Sequence, residues 1–100
     1  MKLDILAFGA HPDDVEISCG GTILKHIELG YSCGIIDLTK GELGTRGSGE
    51  LRLQEAEKAK QILGISGREN LGFADGFFLN DKEHQLPIIE MIRKYRPEIV

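Results

Sequence analysis

The chain is poor in cysteine and histidine and has no surplus of basic residues. Its two cysteines, Cys19 and Cys33, have no framework spacing and read as reduced core residues of a cytoplasmic protein. Lys and Arg number 12 against 16 Asp and Glu, a net charge of −4. With no basic patch to neutralise phosphates, no nucleic acid partner is expected. No apolar run approaches the roughly 20 residues of a membrane span, so no membrane is expected either. An aspartate interrupts the opening stretch MKLDILAFGAHPDD and no small-residue cleavage site follows, which argues against a signal peptide. A G-x-G-x-x-G phosphate loop is also missing. The first apolar run is followed instead by G-A-H-P-D-D, whose paired carboxylates would repel a pyrophosphate. A composition of 41% apolar and 28% charged residues over 100 positions is that of a soluble globular domain, or of part of one.

Apolar periodicity gives the organisation. Residues 3–9, LDILAFG, form a short run suited to a buried strand. From about Val15 to Leu29 the pattern turns helical, with Cys19, Ile23, Leu24 and Ile27 at spacings of three and four, and Gly30 as a stop. Residues 31–39, YSCGIIDLT, read as a second strand, followed by the glycine-rich loop KGELGTRGSG. A second helix is predicted from about Glu50 to Leu63, with Ala56, Ala59, Ile62 and Leu63 as its inner face. A third strand is predicted at Asn70–Ala74, then the loop DGFFLNDKEH, then a third helix at about Leu86–Tyr95. Pro87 is tolerable there because the first helical turn has no partner for its N–H. Arg96 precedes Pro97 and is pushed out of the helix. A fourth strand is expected to begin at Glu98.

The predicted fold class is therefore α/β: a Rossmann-like parallel sheet with helices on both faces, in βαβαβαβ order and cut at the fourth strand. Because the chain ends at RPEIV, in what reads as half a strand, residues 1–100 are expected to be the amino-terminal part of a single domain. In such sheets ligands bind beyond the C-terminal strand ends. His11 to Glu16, the 40s loop and Asp75 would share that edge.

The chemistry concentrates in GAHPDDVEISCGG, residues 9–21. Zinc prefers imidazole, thiolate and carboxylate ligands, and catalytic sites use three of them plus a water. His11 and Asp14, three residues apart across a turn into a helix, can aim at one point. Asp13 can stand beside them and accept a proton from metal-bound water. Taken as residues alone, the same cluster is equally an acidic helix start that suits the helix dipole.

AHPDDVE after a first strand resembles the signature of the zinc-dependent de-N-acetylases of the PIG-L/LmbE family. DLTKGELGTRGSGELRLQEA, ILG and NLGFADGFF resemble that family's next segments, in order. Within the family the likeness is greatest to the bacillithiol-biosynthesis deacetylases, which act on N-acetylglucosaminyl malate. The resemblance implies a hydrolase that removes acetyl from a small-molecule acetylated amino-sugar, using Zn²⁺ or another divalent ion, and assembled as a homo-oligomer. It implies His11 and Asp14 as metal ligands, Asp13 as general base, and Arg52 near the acidic part of the substrate, with Arg46 as a weaker candidate. Glu16 falls either behind the ligands or against the sugar. The family's third ligand, and a histidine that assists the carbonyl, come from a His-Pro-Asp-His-like motif after the fourth strand. His26 cannot replace them: it lies twelve residues along the helix from Asp14, roughly 18 Å of rise.

Several residues have plainer readings. His26 and His84 read as surface residues, Cys19 as a small helix position, and Asp37 and Asp75 as turn residues. Phe77 and Phe78 suit either a lid or local packing. Two rivals to the deacetylase remain. One is a Mg²⁺-binding phosphoacceptor receiver, with Asp13 and Asp14 on the metal and Asp75 taking phosphate; Mg²⁺ prefers oxygen ligands, which leaves His11 without a role. The other is a non-catalytic fragment that self-associates through uncovered apolar surface.

Overall fold

A computed structural model describes residues 1–44 and 49–100. Three strands alternate with three helices: β1 Ile5–Gly9, α1 Asp14–Glu28, β2 Cys33–Thr39, α2 Gly49–Leu63, β3 Gly67–Phe73 and α3 Lys82–Tyr95. The strands form one parallel sheet in the order β1-β2-β3. On the free edge of β1, Leu6 N–H donates to Ile99 O at 2.9 Å and Ile99 N–H to Asp4 O at 3.0 Å. The expected fourth strand is present here only as that bridge. It puts successive elements on both sides of β1, so the direction of strand addition reverses there. In open α/β sheets that reversal opens a crevice at the C-terminal strand ends.

The apolar residues divide between the two faces of the sheet. Cys33 and Ile35 of β2 point to one face, where α1 supplies Val15 and Ile23, and Ile65 and Leu63 close the end of α2. Leu6 and Ile36 point to the other, under Tyr95 and Met91 of α3. β2 is buried over six of its seven positions, as a strand covered on both faces must be. The α/β, Rossmann-like architecture read from the sequence is the one observed.

Five local expectations need correction. α3 begins four residues before the predicted Leu86 because Asp81 caps it, accepting from His84 N–H at 3.1 Å. Pro87 therefore stands in the helix interior, where its ring forgoes a bond to residue 83. Ile62, assigned to the inner face of α2, is 82% exposed, and Leu24 of α1 is also exposed. The strand predicted to start at Asn70 starts at Gly67, because residues 67–70 pair with β2 from Gly34 to Asp37.

Candidate functional site

The ends of the strands are tied together by one buried threonine. Thr39 N–H and Oγ1–H both donate to Ala10 O, at 3.0 and 2.9 Å, and Thr39 O accepts from Asn70 Nδ2 at 2.7 Å. The end of β1 is thereby held beside the end of β2, and β2 beside β3. Gly9 then lets α1 close over the end of β1. A Cβ there would lie 3.0 Å from Val15 Cγ2 and 3.3 Å from Asp14 Cβ, tighter than ordinary carbon contact. The chain turns at once: Asp13 N–H donates to His11 O at 2.8 Å, and His11 N–H donates to Asp14 Oδ2 at 3.0 Å.

This turn brings His11 and Asp14 together. His11 Nδ1 lies 3.3 Å from Asp14 Oδ2, and His11 Nε2 lies 2.7 Å from Asp75 Oδ1. Asp75 is buried, and its other oxygen accepts from Leu43 N–H at 2.9 Å. That backbone bond, reinforced by His11, holds its carboxyl below the usual range. An ionised carboxylate only accepts, so Nε2 is the nitrogen that carries a proton toward Asp75. The partnership with Asp75 raises the His11 pKa, with Asp14 adding to it. When His11 is neutral, its Nδ1 lone pair is left facing Asp14. Sequence reasoning treated Asp75 as a turn residue. Its only signal was a position after a strand end on the same edge.

The donor set suits a small divalent cation. Two zinc ligands at about 2.0–2.2 Å, separated by a tetrahedral angle, stand about 3.4 Å apart, close to the Nδ1–Oδ2 separation observed. A carboxylate on the remaining imidazole N–H is the arrangement that fixes a ligating histidine's tautomer. His11 and Asp14 are both partly open to solvent, so the space in front of them is accessible.

Asp13 stands at the start of α1 but makes no side-chain cap. Its Oδ1 accepts from Arg52 NH2 at 3.0 Å, while Arg52 NH1 donates to Gly41 O at 3.2 Å. Arg52, expected at the substrate, thus reaches Asp13 from α2. Arg46 lies outside the described residues. Glu16 turns away from this group. Both its oxygens accept from Arg68, at 3.1 Å each, and Arg68 also forks onto Asp37 at 2.8 and 3.0 Å. Burial pushes the Asp37 carboxyl upward. Neither Arg68 nor the part played by Asp37 was visible in the sequence.

The remaining histidines stand apart. His26 Nδ1 donates to Thr22 O at 2.7 Å within α1. His84, read as a surface residue, is half-buried: its ring lies edge-on to Phe73 at 4.7 Å and beside Phe78. Phe78 packs locally, while Phe77 is exposed. Asp81, Glu83 and His84 offer ligand atoms within 4.8 Å of one another. Asp81 already caps α3 and pairs with His84 Nδ1 at 2.6 Å, so a helix cap accounts for the cluster.

Comparison with known proteins bears on this geometry. The family model described as PIG-L, GlcNAc-PI de-N-acetylase, matches residues 6–100. The chain is 36% identical to the diacetylchitobiose deacetylase of Thermococcus kodakarensis, over 96% of this chain and 39% of the relative. Among solved structures, the conserved protein TT1542 from Thermus thermophilus superposes with a TM-score of 0.87 at 44% identity, over 95% of this chain and 43% of that one. GalB of Pseudomonas putida KT2440, a 4-carboxy-2-hydroxymuconate hydratase, superposes with a TM-score of 0.84 at 28% identity, over 99% and 46%. The chain spans about two fifths of the length of the relatives it matches.

Proposed function

The chain belongs to the PIG-L family of GlcNAc-PI de-N-acetylases, and from that membership we propose that the complete protein is a zinc-dependent hydrolase removing the acetyl group from an N-acetylglucosamine-type glycoside. Residues 1–100 would form the amino-terminal part of its single catalytic domain. The observation that carries the proposal is the pairing of His11 Nδ1 with Asp14 Oδ2 at 3.3 Å, with Nε2 held by Asp75. His11 and Asp14 would hold the metal, together with a ligand from outside these 100 residues. When bound, zinc supplies a Lewis acid for the amide carbonyl and lowers the pKa of water from about 15.7 toward about 7.

The residues of the chain divide the remaining work. Asp13 takes the proton of the attacking water and returns it to the departing amine, a task suited to a carboxylate beside the reacting atoms. Arg52 steadies Asp13 in the free enzyme and offers its guanidinium to an acidic group on the substrate. Arg46 is proposed as a second contact of that kind. Asp75 keeps the His11 tautomer fixed.

N-acetylglucosaminyl malate, from bacillithiol biosynthesis, is the proposed substrate, from the likeness of the chain as a whole to the deacetylases of that pathway. Two free cysteines, one buried, suit a cytoplasmic setting. Among the described residues no helix is long and apolar enough to cross a membrane. A homo-oligomer is proposed from the resemblance to the family, and the exposed apolar residues Leu29, Tyr31 and Ile99 line one pocket with Ile5 of β1. The likeness to GalB favours a second reading, addition of water to a carbon–carbon double bond.

The test is amine release from N-acetylglucosaminyl malate by the complete protein. Asp13→Asn is expected to retain zinc and lose activity by orders of magnitude. Unchanged turnover in that variant would remove Asp13 from the base role. Hydration of an unsaturated acid without amine release would replace the deacetylase reading with the hydratase one.

A further inference from the structure

Arg68 lies on β3, its side chain 4% exposed, and makes four hydrogen bonds to two carboxylates. Burying three charged groups is a poor way to gain stability alone, because a well-packed apolar set of similar volume is often as stable. Their placement suggests what they gain instead. Asp37 is the register partner of Gly9 on β1 and of Asn70 on β3, so it sits where the strands approach the site. Glu16 is two residues after Asp14, in the first turn of α1.

Locally, that first turn is held by His11 N–H on Asp14 Oδ2 at 3.0 Å and by Asp14 N–H on His11 O at 3.2 Å, bonds that tie it to its own loop and not to β2 or β3. Asp13 makes no capping bond, its carboxylate being engaged by Arg52. Cys19 has non-helical angles, φ −145° and ψ 22°, just before Gly20 and Gly21, and such a break kinks the helix there. Residues 14–18 are therefore a short segment bearing Asp14. Val15 anchors it in the core, and Glu16 is gripped from below by a planar fork that fixes direction as well as distance.

We propose that Arg68 is a positioning residue for the metal loop: through Glu16 and Asp37 it locks the first turn of α1 against the ends of β2 and β3, and so sets where Asp14 meets His11. Glu16 is thereby a strut beneath the site rather than a contact for the sugar. The inference rests on the reading of His11 and Asp14 as metal ligands.

Three variants of the complete protein test it. Glu16→Gln keeps shape at a partly open position, Arg68→Lys keeps charge but loses the fork, and His11→Ala is the control for the ligand reading. The readouts are zinc affinity by competition with a chromogenic chelator, the visible ligand-field spectrum of the cobalt-substituted protein, the melting temperature of the metal-free protein, and KM. Glu16→Gln and Arg68→Lys are each expected to weaken zinc binding roughly tenfold and to alter the cobalt bands, with KM near wild type. A lower melting temperature with wild-type affinity and spectrum would reduce the triad to a stability element and overturn the proposal. So would a raised KM with unchanged metal binding, which would make Glu16 a sugar contact. If His11→Ala keeps its zinc, the ligand reading itself fails. If it loses zinc while the other two bind normally, only the positioning role fails.

Discussion

Replacing Asp75 by asparagine removes one oxygen and adds two N–H donors at a site where both oxygens are in use. One oxygen faces His11 Nε2 at 2.7 Å and the other accepts from Leu43 N–H at 2.9 Å. If the amide oxygen stays on Leu43, the NH₂ group faces Nε2, which must then be the lone-pair nitrogen. The proton moves to Nδ1, pointing at Asp14, and a cation must displace it. If the amide oxygen faces His11 instead, NH₂ opposes the Leu43 N–H and the loop loses its anchor. In the first case both bonds survive but the tautomer is wrong for coordination; in the second the tautomer is kept and the Leu43 bond is lost. Loss of such a partner costs about 10–100-fold in metal affinity, and that is the expected weakening of zinc binding in Asp75→Asn. Chelator competition near neutral pH measures it, with circular dichroism confirming the fold. Affinity within twofold of wild type would refute the assignment of Nδ1 as the ligating nitrogen.

Gly9→Ala places a methyl group 3.0 Å from Val15 Cγ2 and 3.3 Å from Asp14 Cβ. It is expected to cost about 1–3 kcal/mol and to weaken zinc binding by displacing Asp14; chemical denaturation and the same competition assay check both. On the opposite face of the sheet, Glu69 joins β3 to α3 by accepting from Lys94 Nζ at 2.8 Å and from the Tyr95 hydroxyl. The Lys94 ammonium and then Tyr95 hold its carboxyl below the ordinary glutamate value of 4.5. A lowered carboxylate pKa stabilises the fold above the unfolded value, and that stability is lost as pH falls through the folded value. The melting-temperature difference between wild type and Glu69→Gln should therefore be full near neutral pH and shrink below about pH 4.5. A difference independent of pH would contradict the pairing.

What the sequence disclosed depended on range. The turn from His11 to Asp14 was legible because its parts are three residues apart and their spacing has a direct geometric meaning. The helices and strands were legible where apolar periodicity was strong, as in Cys33–Thr39. Asp75 meets His11 across 64 residues and Arg68 meets Glu16 across 52; no local pattern encodes either meeting, which the parallel register alone creates. The start of α3 was missed because DGFFLNDKEH reads as a loop, and Asp81 is a cap only once His84 N–H turns back to it. Ile62 misled because it is apolar and close to Leu63, yet it falls on the outer side of α2.

The proposed chemistry depends on where the cation sits. Diffraction from the zinc-loaded complete protein at the zinc absorption edge locates it directly. An anomalous peak about 2.0–2.2 Å from both His11 Nδ1 and an Asp14 carboxylate oxygen, with Asp75 still on Nε2, is the predicted result. A peak held by Asp81, Glu83 and His84, or one bound through His11 Nε2 with Asp75 displaced, would contradict it.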